Sequence, residues 1–373
     1  MKLRYKIAGA VLLIAAAGVA ALGYGLSHDA ACGGVAAIVP GAARMQAVMQ
    51  RCYGAADVLR VETVARPIPD DDQILVGVRA ASVNPLDWHF VRGVPYVLRL
   101  SAGMGAPKDG RLGVDFAGVV VAVGRNVTRF KTGDAVFGGS RGAFAQYLRV
   151  RANGGVAAMP EGLSFEQAAA VPVAGVTALQ ALRDQGQLRA GQQVLINGAS
   201  GGVGTFAVQI AKLLGAHVTA VCSARNAALL RALGADVVID YTRQDFTAGG
   251  VRYDLIVDNV GNHPLGSLRR VLQPSGTYVM VGGPNENTWI GAFTRVVPMM
   301  LTAPFSRQRL RFFIASMRPG DLEYLAALMR ATKVMPVIDR RYSLAEVAAA
   351  IGYVEAGHAR GKVIITIPDE HGS

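Results

Sequence analysis

The sequence predicts an α/β protein of two units, one β-rich and one a doubly wound parallel sheet, preceded by an N-terminal apolar helix. Three observations predict it. An uncharged run of about 20 residues, 7–26, follows Lys2, Arg4 and Lys6. Short segments of alternating apolar residues, punctuated by Gly, Pro and Asp, fill the chain from Met45 to about Ser164. After Phe165, apolar strand segments alternate with helical ones, as in parallel strands joined by crossover helices.

Residues 1–43 read as a membrane anchor and linker. As a helix, 7–26 would extend roughly 30 Å, the thickness of a bilayer's hydrocarbon core. Its glycines, Gly9, Gly18, Gly23 and Gly25, are tolerated in membrane helices. The competing reading is a cleaved signal peptide. Asp29 is badly placed for a small-residue cleavage site and for a lipoprotein site at Cys32. A single-pass membrane location, with the bilayer as partner through 7–26, is therefore expected. The stretch Gly33 to Ala43, rich in Ala, Gly and Val, reads as a linker.

In the β-rich unit, Ile74, Val76, Val78 and Ala80 mark a strand with one buried face. Residues 119–123 form a buried strand stopped by Gly124, and short strands fit 135–137 and 147–150. In the second unit, strands are expected at 194–196, 218–222, 237–239, 255–257 and 278–281. Phe206, Ile210, Leu213 and Leu214 recur at helical spacing, and Leu229, Leu230 and Leu233 suit another helix. Beyond Pro284 the pattern is irregular, until Leu322, Leu325, Ala326 and Met329 share a helix face. The apolar stretch 289–305 is interrupted by Arg295, Pro298 and Pro304, which suits a dimer-contact or substrate-lining segment better than a membrane span. The last strand, 363–367, has no helix after it, so the chain is expected to return to the first unit. The expected organisation is 1–43, then 44–164 completed by 306–373, with 165–305 as the parallel-sheet unit.

Bulk composition agrees with a folded two-domain chain. Its 373 residues exceed what one core usually serves, and 51% hydrophobic against 17% charged content excludes disorder. The net charge of +12 attracts anions. The basic residues are scattered, without a Lys/Arg run or aromatic interleaving, so no nucleic-acid partner is expected. The cysteines, Cys32, Cys52 and Cys222, form no CxxC pair, so neither a zinc knuckle nor a disulfide framework is indicated.

The chemistry-bearing segment is Asn197-Gly198-Ala199-Ser200-Gly201-Gly202-Val203-Gly204, between the first strand of the second unit and its helix. Gly201 and Gly204 keep the spacing of the last two glycines of the dinucleotide fingerprint, with Ala199 in the first place. Small residues let the backbone approach a pyrophosphate, and the helix start supplies unpaired N–H groups and partial positive charge. The end of the second strand lacks the acid that would hold a free ribose 2′-hydroxyl. Ser223 and Arg225 stand there instead, with Tyr241 just past the third strand; these suit a 2′-phosphate and favour NADPH over NADH.

The body, from about Met45 to Ile367, resembles the zinc-independent branch of the medium-chain dehydrogenase/reductase superfamily, which includes quinone oxidoreductases and reticulon-4-interacting-protein-like enzymes. The likeness is carried by Ala81-Ser82-Val83-Asn84-Pro85-Leu86-Asp87-Trp88, Gly113-Val114-Asp115-Phe116-Ala117-Gly118, residues 170–178 and 197–204, and Gly357-His358-Ala359-Arg360-Gly361-Lys362. The resemblance implies a GroES-like catalytic domain interrupted by a Rossmann domain, an active site in the cleft between them, and a homodimer. It implies coenzyme contacts at Ser200, Gly201, Gly202, Val203, Gly204, Ser223, Arg225, Tyr241, His358, Ala359 and Arg360. Zinc-binding relatives carry Cys where Asn84 stands and His where Val114 stands, so no metal is expected. Hydride transfer to a quinone or an α,β-unsaturated carbonyl follows, with Asn84 as the expected hydrogen-bond donor to the substrate oxygen and Asp87, Trp88 and Tyr96 lining the pocket. A nicotinamide enzyme needs a nucleotide pool, which favours a cytoplasm-facing body, although the positive cluster before the helix favours the opposite orientation. Two other functions fit the same residues: a non-catalytic nucleotide-binding membrane scaffold, and a zinc-free alcohol dehydrogenase or carbonyl reductase.

Overall fold

The period-two pattern after Met45 folds as antiparallel structure. The computed structural model describes residues 2–35, 37–284 and 287–368, and within its first helix the side chains of residue 5, residue 13 and residues 15–27. An antiparallel ribbon, β1 (Arg44–Met49) and β2 (Arg60–Ala65), leads into the first sheet. There β3 (Gln73–Val83) pairs with β4 (Asp115–Val123), and β4 with β5 (Ala135–Gly139). β6 (Tyr147–Arg151) also pairs with β3, and β7 (Val156–Ala158) pairs with β5.

The second sheet is wholly parallel. Its strands are β8 (Gln193–Asn197), β9 (His217–Cys222), β10 (Val237–Asp240), β11 (Tyr253–Asp258), β12 (Leu272–Met280) and β13 (Arg309–Phe312). The spatial order is β10-β9-β8-β11-β12-β13, so the order reverses between β8 and β11. That is the Rossmann arrangement, which opens a crevice outside the carboxyl ends of those two strands. Because β13 pairs with β12, this sheet runs past the boundary expected at residue 305.

The chain then returns, as its last strand implied. β14 (Ile338–Ser343) and β15 (Lys362–Thr366) join the first sheet, with β15 antiparallel to β3. One apolar core spans the two units: Ala80, Ala117 and Phe137 of the first sheet pack in the same cluster as Val176, Leu179 and Phe206 of the second unit. Burial of this kind contributes about 25 cal/mol per Å² and fixes the two units against each other.

Two N-terminal expectations are corrected. Residues Lys2–Ser27 form one helix, but among the described residues no helix is long and apolar enough to cross a membrane. More than half of 7–26 is Ala and Gly, which bring little apolar area to hydrocarbon. The far end of the helix packs on protein instead. Leu26 is buried, and the backbone oxygens of Leu26 and His28 accept from the Arg99 guanidinium at 2.9 and 3.3 Å. Asp29 pairs with the same guanidinium at 2.8 Å. The membrane location, and with it the question of which side the body faces, falls with that helix. The second correction is a disulfide between Cys32 and Cys52, which ties the segment after the helix to the β-rich unit. The two cysteines are 20 positions apart, a spacing that follows no motif; only the folded path brings them together.

Candidate active site

The glycine turn lies where the strand order reverses. Asn197 ends β8, and the helix Gly202–Leu213 begins at the far side of the turn. Gly198 takes φ +72°, a left-handed conformation that only glycine adopts without strain. A Cβ on Gly204 would collide with the carbonyl oxygens of Gly198 and Ala199, so this glycine is required by the fold. Gly201 differs: a Cβ there would meet nothing nearer than the Gly198 oxygen at 3.6 Å. The open space over Gly201, at a helix start, is the cradle a pyrophosphate would fill.

Buried polar groups hold the crest of the sheet. Asp258, at the end of β11, accepts from Asn197 Nδ2 at 2.9 Å and from the Tyr278 hydroxyl at 2.9 Å. The backbone N–H groups of Val260 and Gly261 donate to the same carboxylate. Burial, with the carboxylate beside it, pushes the Tyr278 phenol pKa up, so this hydroxyl stays a donor. Asp258 thus ties the ends of β8, β11 and β12 around the crevice.

Ser200 and Ser223 are brought together by a residue the sequence reading missed. Asn226 Nδ2 donates to Ser200 Oγ at 3.0 Å and lies 3.4 Å from Ser223 Oγ. Among the described residues, two buried side-chain oxygens have no hydrogen-bond partner: Asn226 Oδ1 and Asn259 Oδ1. Asn259 lies just past β11, with its Nδ2 on the Asn197 carbonyl at 2.9 Å. Two orphaned acceptors flanking an open glycine cradle fit a ligand that carries hydroxyl or amide donors, as the riboses and carboxamide of a nicotinamide coenzyme do.

The outer rim gathers the remaining predicted coenzyme residues. Arg225 is exposed, with Nη2 3.4 Å from the His358 carbonyl. The Tyr241 N–H donates to the Cys222 carbonyl at 3.1 Å, which places that exposed ring at the end of β9. His358 and Arg360 are exposed and Ala359 is half-buried. The next residue, Gly361, bridges Gly201 in parallel register, which brings the C-terminal segment to the turn. Val203 lies in the first turn of the helix Gly202–Leu213, half-buried against the shared core.

On the catalytic side, Asn84 is 2% exposed and its amide is already engaged. Nδ2 donates to Asp115 Oδ2 at 2.9 Å and points to the Ser82 carbonyl at 3.4 Å, while Oδ1 accepts from Lys362 Nζ at 2.5 Å. The expected donor role toward substrate is therefore corrected: a buried amide with both ends occupied organises its loop instead. Asp87 is also buried; its Oδ2 accepts from the Asn84 N–H at 2.7 Å and so caps the helix Pro85–Arg92. Trp88 stacks on His89 with centroids 3.6 Å apart and packs on the core of the catalytic unit, rather than facing open space. Of the residues expected to line the pocket, Tyr96 reaches the other unit. Its ring meets Trp289 edge-on at 5.2 Å, and its N–H donates to the Thr288 carbonyl at 2.7 Å. Beneath it, the Arg99 guanidinium stacks under the rings of both Tyr53 and Tyr96. Among the described residues, no group of three or more His, Cys, Asp or Glu is placed to hold a metal ion.

Comparison with known proteins agrees with this geometry. The profile "Alcohol dehydrogenase GroES-like domain" matches residues 70–161, and "Zinc-binding dehydrogenase" matches residues 233–365. The chain is 35% identical over 336 residues to a chloroplastic quinone-oxidoreductase homolog of Spinacia oleracea, covering 86% of this chain and 98% of that protein. It is 34% identical over 353 residues to the mitochondrial NAD(P)H oxidoreductase RTN4IP1 of Mus musculus, covering 84% of this chain and 87% of that protein. The solved quinone oxidoreductase of Coxiella burnetii superposes with a TM-score of 0.75 at 32% identity, over 87% of this chain and 99% of that one.

Proposed function

We propose a function from one premise: the chain belongs to the medium-chain dehydrogenase/reductase superfamily, in its quinone oxidoreductase branch, and is an NAD(P)H-dependent oxidoreductase. Our reading is that it uses NADPH, without zinc, to reduce a quinone or an α,β-unsaturated carbonyl. The observation that carries it is the open space over Gly201, flanked by the unpartnered oxygens of Asn226 and Asn259.

In this reading Ser200, Gly201, Gly202, Val203 and Gly204 seat the pyrophosphate on the helix start, and Asn226 and Asn259 accept from the riboses or carboxamide. When bound, the coenzyme supplies the hydride. The chain's own part is placement: two reactants held face to face, away from bulk water, account for much of the acceleration. Tyr96, braced by Trp289 and Arg99, lines the entry where the two units meet. The preference for NADPH rests on Ser223 and Arg225 after β9, on Tyr241 after β10, and on His358 and Arg360 in the segment whose carbonyl Arg225 reaches. The nearby Asp240 carboxylate is already engaged by Thr242. A zinc-free mechanism is supported by the donor set, since Asn84 and Val114 stand where thiolate and imidazole would be needed.

Assembly as a homodimer belongs to the same proposal. β13 is the edge of the parallel sheet, flanked by Phe305 and Ile314 at 91% and 81% exposure. A paired copy would cover such an edge and its apolar flanks.

The test is fluorescence titration with NADPH and NADH, followed by oxidation of each with a panel of quinones and enones, on wild type and Arg225→Ala. We expect turnover with NADPH, and a loss of about tenfold or more in NADPH affinity in the variant with NADH unchanged. Equal affinity for both coenzymes and an indifferent variant would remove the phosphate assignment. Tight binding with no turnover on any acceptor would remove the reductase.

A further inference from the structure

Five buried polar side chains meet behind the loop that carries Asn84: Ser82, Asn84, Asp87, Asp115 and Lys362. One oxygen of Asp115 accepts from Ser82 Oγ at 2.8 Å, Asn84 Nδ2 at 2.9 Å and Lys362 Nζ at 3.3 Å. Its other oxygen accepts from the Val173 N–H at 2.9 Å, at the start of the helix Pro172–Leu179. Lys362 Nζ also donates to Asn84 Oδ1 and, at 3.4 Å, to the Val83 carbonyl. The aliphatic stem of Lys362 lies against the other unit. A Cβ on Gly202 would sit 3.0 Å from Lys362 Cδ, and the preceding Gly361 bridges Gly201.

Lys362 is thus bonded at its tip to the loop at Asn84 and packed along its stem on the first turn of the helix Gly202–Leu213. An ion pair with 2% and 0% exposed partners is costly to desolvate, so it is a poor source of net stability. What it provides is geometry: directional bonds that hold only one arrangement of the loop.

We propose that Lys362 is a positioning residue, which sets the loop at Asn84 against the turn at Gly201 and Gly202 and transmits coenzyme binding from the turn to the loop. The proposal rests on the coenzyme-binding reading above. It requires no contact between Lys362 and coenzyme or substrate.

Hydrogen exchange with mass spectrometry on the full chain, with and without saturating NADPH, tests it in wild type, Lys362→Met and the double variant Lys362→Met/Asp115→Asn. The double variant removes both charges together, so it decides the matter if the single one fails to fold. In wild type we expect NADPH to slow exchange at 198–206 and also at 84–93. In the variants we expect protection at 198–206 to remain and the slowing at 84–93 to fall by about tenfold. With a working acceptor, Lys362→Met lowers kcat, leaves KM for NADPH within about threefold, and raises the primary isotope effect from 4-deuterated NADPH. Undiminished protection at 84–93 in a folded variant overturns the proposal, as does its absence in wild type. A wild type that couples the two segments but reduces no quinone or enone removes the reductase reading and leaves the proposal standing. A wild type with no protection even at 198–206 removes both.

Discussion

The Lys362 ammonium donates to the Asn84 amide oxygen at 2.5 Å, across 278 residues of sequence. The same amide donates to Asp115, so Asn84 satisfies a buried cation and a buried anion at once. Truncation to Ala leaves both charges short of a partner in a site that water does not reach. Hydrogen bonds to charged groups contribute about 1.5–3 kcal/mol each, and Asn84→Ala is expected to lower unfolding stability by about 2–4 kcal/mol. Urea denaturation checks this. A shift in midpoint with an unchanged slope is the expected result, and a variant within about 0.5 kcal/mol of wild type would refute it.

Asp87 makes stability depend on pH in an unusual direction. Burial, aided by the nearby Asp115 charge and opposed by N–H donors from Asn84 and Gly113, pushes its pKa up to about 7. The unfolded value is about 3.9. Between these values the folded chain holds a proton that the unfolded chain has lost. The stabilisation associated with this carboxyl is therefore greatest at the acid end, and declines as pH rises from about 4 to 7. Asp87→Asn removes that decline. The stability difference between wild type and variant, from urea unfolding at several pH values, is expected to change by up to about 1.4 kcal/mol per pH unit in this window and to level off above it. A difference independent of pH would show that Asp87 is ionised throughout.

The parts of the site that were legible in the sequence are local in the chain. The candidate coenzyme turn 197–204 is marked in the sequence by small residues at fixed spacing, between a strand and a helix start. Ser223 and Tyr241, as candidates, are marked by their places just past strand ends. Asn226, Asn259, Asp258 and Lys362 were not assigned roles, because what defines them is a partner far away in sequence. An Asn just beyond a strand carries no local mark of an orphaned oxygen. β13 was missed for a different reason: Arg309-Leu310-Arg311-Phe312 is short and half charged, as suits an exposed edge. Length and lack of charge in the run 7–26 point to a membrane span that no helix among the described residues makes. The cysteine pairing had no signal in spacing at all.

The Cys32–Cys52 disulfide closes a loop with a sequence separation of 20 and fastens the segment that covers Arg99. A loop of that length is expected to contribute about 3 kcal/mol through the unfolded state. Cys52→Ala, or reduction by a dithiol, should lower the melting temperature by several degrees and speed hydrogen exchange at 28–35. Coenzyme affinity should be unchanged, because this contact lies on the Tyr96 side and not at the glycine turn. Unchanged exchange at 28–35 after verified reduction would mean that Arg99 and the Ala30 N–H bond to the Gly105 carbonyl hold the segment without the disulfide.

Gly201 and Gly204 separate what the fold requires from what the ligand requires. A side chain at Gly204 would strike the carbonyls of Gly198 and Ala199, backbone that cannot yield without opening the turn. Gly204→Ala is therefore expected to cost about 1–3 kcal/mol of stability, with coenzyme affinity falling as the turn distorts. At Gly201 the same methyl has room, φ is an ordinary −79°, and the fold gives no reason for glycine. If the pyrophosphate occupies that space, Gly201→Ala keeps the wild-type melting temperature of the free protein and loses at least about tenfold in coenzyme affinity. Differential scanning fluorimetry with and without NADPH reads both quantities in one experiment: a normal melt without coenzyme, and a diminished upward shift with it. A Gly201→Ala protein that binds NADPH as tightly as wild type would place the phosphates elsewhere, and the assignment of this turn would have to be abandoned.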